Sequence, residues 1–296
     1  MKMKNDEFVL KELTTLSFDS VKDFLYQQEA FCVQLCEKVL KKFLCNNELN
    51  SEKIEQSILN GFFYGILKND KIVGIFFLSP AGLLLHSFLP EITSSVIPLL
   101  KDFFLGKKIY CISGESYGSF LLAEIIKSCG FPKPVEIRPY NLMIYDSTKK
   151  ISDNLTNIVC CKNTDENELF LLQQKYDIVE VLPANRPFDE NLCRYNLRKN
   201  LLLGRIVAIK QNSGIFIAKA GVNAVSENFV QIGGVFTKEN FRKQGFACSL
   251  VNYIAIQSQN KNKKAVLFVR ETNKTAQHSY KKAGFFNIGK YCIIYY

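Results

Sequence analysis

Apolar positions fall into helical stripes and short strand-like runs along all 296 residues. Over residues 21–44, Phe24, Leu25, Phe31, Leu35, Val39, Leu40 and Phe43 keep close to helical spacing, so the first half opens with helical material. Residues 62–67 and 72–78 are apolar runs flanking Lys68-Asn69-Asp70-Lys71, whose Asn and Asp tolerate positive φ, and they predict a hairpin. Pro80, Ala81 and Gly82 make the next turn. Residues 92–104 read as a helix, 108–113 as a strand, 117–128 as a helix stopped by Gly130, and 135–145 as a strand. After a polar stretch, residues 146–154, come a strand at 157–161, a helix from about Asp165 and a helix over roughly 189–202. Strands follow at 205–210, 215–220 and 229–237, then a long helix ending near Ser258. A strand at 265–270, a helix at 273–282 and a last strand ending at Tyr296 complete the chain. Strands and helices mixed in this order predict an α/β (α+β) class. The polar stretch sets the expected domains at 1–150 and 151–296.

The two halves are weakly alike. The hairpin from Gly61 has a counterpart at residues 203–219, and the strand-helix run ending Cys129-Gly130-Phe131 has one ending Ala283-Gly284-Phe285. A tandem duplication is the expectation.

Composition changes this picture little. At 47% hydrophobic and 22% charged, the chain is an ordinary globular protein. The apolar run at 72–88 is interrupted by Pro80, Gly82 and His86, so it reads as buried strands and no membrane partner is expected. The charged N-terminus lacks a signal-peptide pattern, and a cytoplasmic location is expected. The ten cysteines lack the paired spacing of a zinc site; reduced, mostly buried thiols and no metal are expected. The net charge of +10 comes from dispersed lysines without a dense basic stripe. That distribution argues against nucleic acid and leaves room for a phosphate-rich ligand.

Chemistry concentrates in the last third. Arg242-Lys243-Gln244-Gly245-Phe246-Ala247 follows a strand and forms a turn at the start of a helix. Along it Ala247, Leu250, Val251, Ile254 and Ala255 form one buried face. A helix start offers unpaired N–H groups and the positive end of a dipole, which suits a pyrophosphate. Gly245 allows close backbone approach, and Arg242 and Lys243 add charge. Further on, Asn273, Ala276 and Tyr280 lie at i, i+3 and i+7 of a helix that starts at an Asn cap.

Gln231-Ile-Gly-Gly-Val-Phe-Thr237, Arg242-x-x-Gly245-x-Ala247 and Asn273-x-x-Ala276-x-x-x-Tyr280-x-x-x-Gly284-Phe285 resemble the acetyl-CoA-binding motifs of the GNAT superfamily of N-acetyltransferases. Within it they resemble the FR47-like branch, which includes amino-acid N-acyltransferases with a degenerate first GNAT domain. The resemblance implies tandem GNAT-like domains, each a mixed, mostly antiparallel sheet flanked by helices, and acetyl-CoA as the cofactor. It also implies acetyl transfer to a primary amine of a small molecule, amino acid or peptide. Val235, Phe236 and Thr237 would lie along the pantetheine arm. Arg242, Lys243, Gln244, Gly245, Phe246 and Ala247 would wrap the pyrophosphate. Asn273 and Ala276 would border the pantetheine, and Tyr280 would protonate the leaving thiolate. Gln231 stands where the histone-acetylating branch has a Glu as general base, and Gln cannot accept a proton. Either another carboxylate serves as base, with Glu180, Asp189 and Glu190 as candidates, or the amine loses its proton to bulk water; Arg186, Arg194, Arg198 and Arg205 are candidates for a carboxylate on the acceptor. Two other readings stay open: a non-catalytic acetyl-CoA sensor, and an aminoacyl-tRNA-dependent transferase of tandem GNAT fold. The first half has no phosphate loop, so no cofactor is expected there.

Overall fold

A computed structural model describes residues 8–45, 60–146, 148, 157–211 and 213–296. Apart from Asp146 and Thr148, the polar stretch 146–154 lies outside the described residues. The chain divides into two compact units, Met1–Tyr140 with Lys290–Tyr296, and Asn141–Gly289.

The first described element is a strand that the sequence pattern did not predict, β1 (Phe8–Glu12). The predicted helical stretch is two helices, α1 (Phe18–Gln27) and α2 (Val33–Cys45), separated by a 3-10 turn at Glu29–Phe31. Ser17 caps α1 by accepting from the Ser20 amide. The hairpin forms as read: β2 (Phe62–Lys68) and β3 (Lys71–Leu78) pair antiparallel, with Asn69 and Asp70 at φ 51° and 60°. Then come β4 (Leu83–Phe88), α3 (Ile97–Phe104), β5 (Cys111–Glu115) and α4 (Ser116–Ser128). The sheet runs β1-β2-β3-β4-β5-β12, where β12 (Phe285–Tyr295) is the last strand and β4–β5 is parallel. One face carries a core shared with α3 and α4, including Phe76, Leu84, Leu100, Phe104, Leu122 and Ile126. The other carries a core shared with α1 and α2, including Leu25, Leu35, Val39, Ile75 and Phe77.

The second unit begins within β6 (Glu136–Tyr145) and continues with β7 (Ile158–Cys160), α5 (Glu166–Tyr176) and α6 (Glu190–Leu202). The strands β8 (Ile206–Lys210), β9 (Phe216–Val225) and β10 (Phe229–Thr237) lead to α7 (Phe246–Gln259), β11 (Lys264–Arg270) and α8 (Lys274–Lys282). Its strand order is β6-β11-β10-β9-β8-β7. The predicted apolar face of α7 is buried: Leu250, Val251, Ile254 and Ala255 pack with Val230, Ile232, Leu267 and Phe285. On the opposite face α5 and α6 pack Leu169, Cys193, Leu197 and Leu201 against Ile206, Ala208, Phe216 and Phe236. Among the described residues, no helix is long and apolar enough to cross a membrane.

Candidate functional site

The site is built around the end of β10. Its parallel register with β11 runs from Phe229↔Lys264 to Ile232↔Leu267 and stops there, although both strands continue. On its other side β10 stays with β9 to Thr237↔Ala218. Between Gly233↔Gly221 and Phe236↔Lys219, β10 advances three residues while β9 advances two. That extra residue is a β-bulge, and Gly234 takes φ 62° within it, a left-handed conformation that glycine adopts without strain. At Gly233 a Cβ would meet the Asn223 carboxamide at 2.0 Å, so any larger residue there would displace that side chain. The bulge turns β10 where it leaves β11, and the two strands open like a fork around residues 233–237.

Beyond β10, a 3-10 turn at Glu239–Phe241 leads into the loop at residues 242–245. Lys243 and Gly245 both have positive φ, 64° and 87°. Gly245 is the N-cap of α7 and has no side-chain cap, so the first amides of α7 are left for a ligand or water. A Cβ at Gly245 would meet nothing within 4 Å, so open space faces this backbone. Lys243, Gln244 and Gly245 are exposed, and Phe246 and Ala247 are half-buried. Arg242 turns back: its Nε donates to the Thr237 carbonyl at 3.3 Å and its guanidinium stands 5.8 Å from the Phe236 ring centre. Phe236 itself points into the α5/α6 core, so its side chain does not border the fork.

At β11, Asn273 caps α8, its Oδ1 accepting from the Ala276 amide at 3.0 Å. Gln277 fixes the same corner by donating to the carbonyls of Arg270 and Glu271 at 3.0 and 2.9 Å. Ala276 is partly buried against the α7 core. Tyr280 is 8% exposed and packs in that core, with its ring 6.5 Å from that of Phe285. Burial raises its phenol far above the ordinary value of 10, and the nearby Tyr176 and Glu180 act in the same direction. Gln231 is buried on β10 between Ala224 of β9 and Val266 of β11.

The other polar candidates are already engaged. Glu180 forms an ion pair with Arg270 at 3.1 Å. Asp189 caps α6 through the Leu192 amide, and Glu190 pairs with Arg194 at 2.8 Å. Arg198 donates to Glu166 at 2.6 Å, and Arg194 stacks over Phe170 at 3.6 Å. Arg205 donates to the Asn223 carbonyl at 3.4 Å, and Arg186 is exposed.

Two groups at the fork escaped the sequence reading. Lys219, on β9, is 2% exposed, and its ammonium donates to the Gly234 carbonyl at 2.9 Å. It lies 4.7 Å from the Tyr176 ring centre. Burial lowers it to about 8, while Asp177 favours its charge. Asp177 opens a π-helical turn, Asp177–Val181, that continues α5, and burial raises its carboxyl. The available signal was a lysine between alanines inside an apolar strand, Phe216-Ile-Ala-Lys-Ala220.

Residues 218–294 match the family model described as FR47-like protein. That segment holds the fork, the loop and both helices of the site. Solved structures match almost the full length. A Drosophila protein of a structural-genomics programme has a TM-score of 0.67 at 12% identity, over 98% of this chain and 99% of that one. A GNAT-family acetyltransferase from Colwellia psychrerythraea has 0.53 at 10%, over 97% and 98%. A tandem GNAT protein of the clavulanic acid biosynthesis pathway has 0.52 at 10%, over 97% and 98%. The chain has a tandem GNAT-like fold. No curated protein matches it by sequence. In this GNAT-like chain the FR47-like segment lies almost wholly in the second unit.

The first unit has its own parallel pair, and the opening is closed there. The register of β4 with β5 ends at Leu85↔Ser113. The next residue, His86, is fully buried, with Nε2 2.9 Å from Ser119 Oγ and Nδ1 3.6 Å from Glu115 Oε1. Gly114 and Gly118 make room for it, since a Cβ at either would meet the imidazole at 2.2 and 2.8 Å. Burial lowers His86 to about 3 and raises Glu115 to about 7, so near neutrality the imidazole is uncharged and the contact is no ion pair.

Proposed function

We propose that this protein transfers an acetyl group from acetyl-CoA to a primary amine of a small molecule, amino acid or peptide. The observation that carries this reading is the fork between β10 and β11, which opens at a β-bulge beside an uncapped helix start. The residues suit the ligand. The left-handed Lys243 and Gly245 curl exposed backbone around the free amides of α7, as a pyrophosphate needs. Residues 233–237 leave an open strand edge on which the amides of a pantetheine arm can pair. Ala276, one turn before Tyr280, keeps the α8 side of the fork narrow without filling it.

When bound, acetyl-CoA supplies a thioester whose carbonyl carbon takes the amine lone pair, after which the carbon–sulfur bond breaks and the thiolate takes up a proton. The chain contributes alignment, a main-chain N–H at the bulge for the carbonyl oxygen, and the Tyr280 hydroxyl for the sulfur. With its proton held so tightly, Tyr280 acts as a hydrogen-bond donor that moves its proton only as the sulfur gains charge. Glu180, Asp189 and Glu190 are ion-paired or capping, so an amine proton goes to water, with Gln231 able only to orient it. A screen of primary amines and amino acids against acetyl-CoA, followed by thiol release, tests the reading. Release should require an amine and yield the acetylated acceptor in equal amount. Binding of acetyl-CoA without transfer to any amine would leave only the sensor role.

A further inference from the structure

Lys219 is an anomaly in a strand otherwise made for a core. Burying an ammonium is costly unless it is hydrogen-bonded and paired in charge. Here one hydrogen bond goes to the Gly234 carbonyl, at 2.9 Å, at the centre of the bulge. Tyr176 presents its ring face from the end of α5. The charged or titratable groups facing the ammonium are Asp177 on the π-helical turn, Cys193 on α6 and Cys161 after β7. Asp177 is itself held in place, accepting from Gln173 Nε2 at 2.8 Å and from the Cys193 thiol. These groups converge on the ammonium, which in turn holds the Gly234 carbonyl.

That peptide matters for a geometric reason. No peptide bond among the described residues is cis, so the N–H of Val235 points opposite to the carbonyl of Gly234. The Lys219 ammonium sits by Tyr176 at the end of α5, so its pull turns the Gly234 carbonyl toward that group and the Val235 N–H to the opposite side of the peptide. Val235 lies beyond the last β10–β11 pair, Ile232↔Leu267, so its N–H is not engaged in pairing with β11. A glycine at φ 62° could let this peptide rotate, and the hydrogen bond from Lys219 opposes that rotation.

We infer that Lys219, supported by Asp177, is a positioning residue that locks the Gly234–Val235 peptide so that the Val235 N–H donates into the fork, toward the oxygen of the acyl carbonyl. This rests on the acetyl-transfer reading. The ammonium also polarises the peptide it holds, which makes the N–H a stronger donor. Lys219 touches neither substrate; it acts through the backbone.

The device has its own pH signature. The charged form grips the carbonyl, and the ammonium is lowered to about 8, so the grip weakens as pH rises through about 8. In the acetyl-CoA assay, kcat should rise with pH as the acceptor amine loses its proton and then fall on a limb near 8. Asp177→Asn removes a negative charge facing the ammonium, so that limb should move to lower pH while acetyl-CoA affinity stays unchanged. Lys219→Met should remove the limb and lower kcat about 10- to 100-fold, part of the usual cost of losing one oxyanion donor.

A second measurement needs no activity. In the full-length wild-type protein without ligand, the Val235 amide nitrogen shift should titrate with a midpoint near 8, and in Asp177→Asn with a lower midpoint. Should Lys219→Met fail to fold, Asp177→Asn carries the test. A Val235 amide that does not titrate, or an Asp177→Asn midpoint that stays put, overturns the role of Lys219. A titrating amide in a protein that acetylates no amine keeps the device and sinks the transfer reading instead.

Discussion

Tyr280 and His86 show how burial alone changes what a side chain can do. Burial raises the phenol of Tyr280 far above 10, so in the proposed transfer it stays protonated and can donate a hydrogen bond to the sulfur until the sulfur gains charge. Tyr280→Phe keeps the packing against Phe285 and removes only that bond. We expect kcat and kcat/KM to fall together by about 100-fold, with acetyl-CoA affinity nearly unchanged. Steady-state kinetics at saturating substrate that give less than about a fivefold loss would leave Tyr280 a packing residue. His86 follows the opposite logic. Unfolded it takes a proton near 6.5, but folded it resists protonation down to about 3. The stability from burying it neutral is complete above 6.5 and is lost as pH falls from 6.5 toward 3, at about 1.4 kcal/mol per unit. His86→Gln keeps a polar partner for Ser119 without the titration. Melting curves from pH 7 to pH 4 should therefore drop less steeply in the variant than in the wild type.

At the scale of elements, the same device occurs twice with opposite outcomes. Both units contain a parallel strand pair that separates after a few residues, β4 with β5 and β10 with β11. In the first unit the gap receives an imidazole seated against Gly114 and Gly118. The turn after β4 starts with Leu89 and Pro90 and supplies no glycine loop. In the second unit the gap meets a bulge, and the following loop has two left-handed residues at the start of a long helix. We expect isothermal calorimetry to find one acetyl-CoA site per chain. Gly245→Glu should abolish it, since a side chain at φ 87° is strained and its carboxylate would oppose the phosphates. Two sites per chain, or unchanged affinity in that variant, would refute the assignment of the loop.

At the scale of the molecule, the course of β12 decides how the chain is divided. Its first residues belong to the second unit and Lys290–Tyr296 to the first. There Tyr291–Tyr295 pair antiparallel with β5, Cys292 and Ile294 are fully buried, and Tyr291 shares a 2.8 Å hydrogen bond with Ser113. Deleting residues 290–296 should therefore destabilise the first unit, by about 3 kcal/mol or more from two buried apolar side chains alone. Calorimetric melting that keeps its full enthalpy and midpoint in the deletion variant would contradict this.

The local grammar was legible in the sequence. Asn69-Asp70 made its hairpin, Gly130 ended its helix, the α7 stripe was buried, and Asn273 capped α8, because each depends on neighbours a few residues away. The motif order pointed to the GNAT-like fold for the same reason. What the sequence left open depends on contacts between distant residues. β1 is five residues with little alternation and is a strand only because β2 pairs with it. Arg194 and Arg198 were candidates for an acceptor carboxylate, yet Glu166 at the start of α5 engages both. Ser113 meets Tyr291 across 178 residues, so no local pattern could announce that the last strand completes the first unit. Lys219 looked like one more lysine in a basic chain. Only the fold, by burying it beneath α5 and beside the bulge, turned it into a group that can hold a single peptide in place.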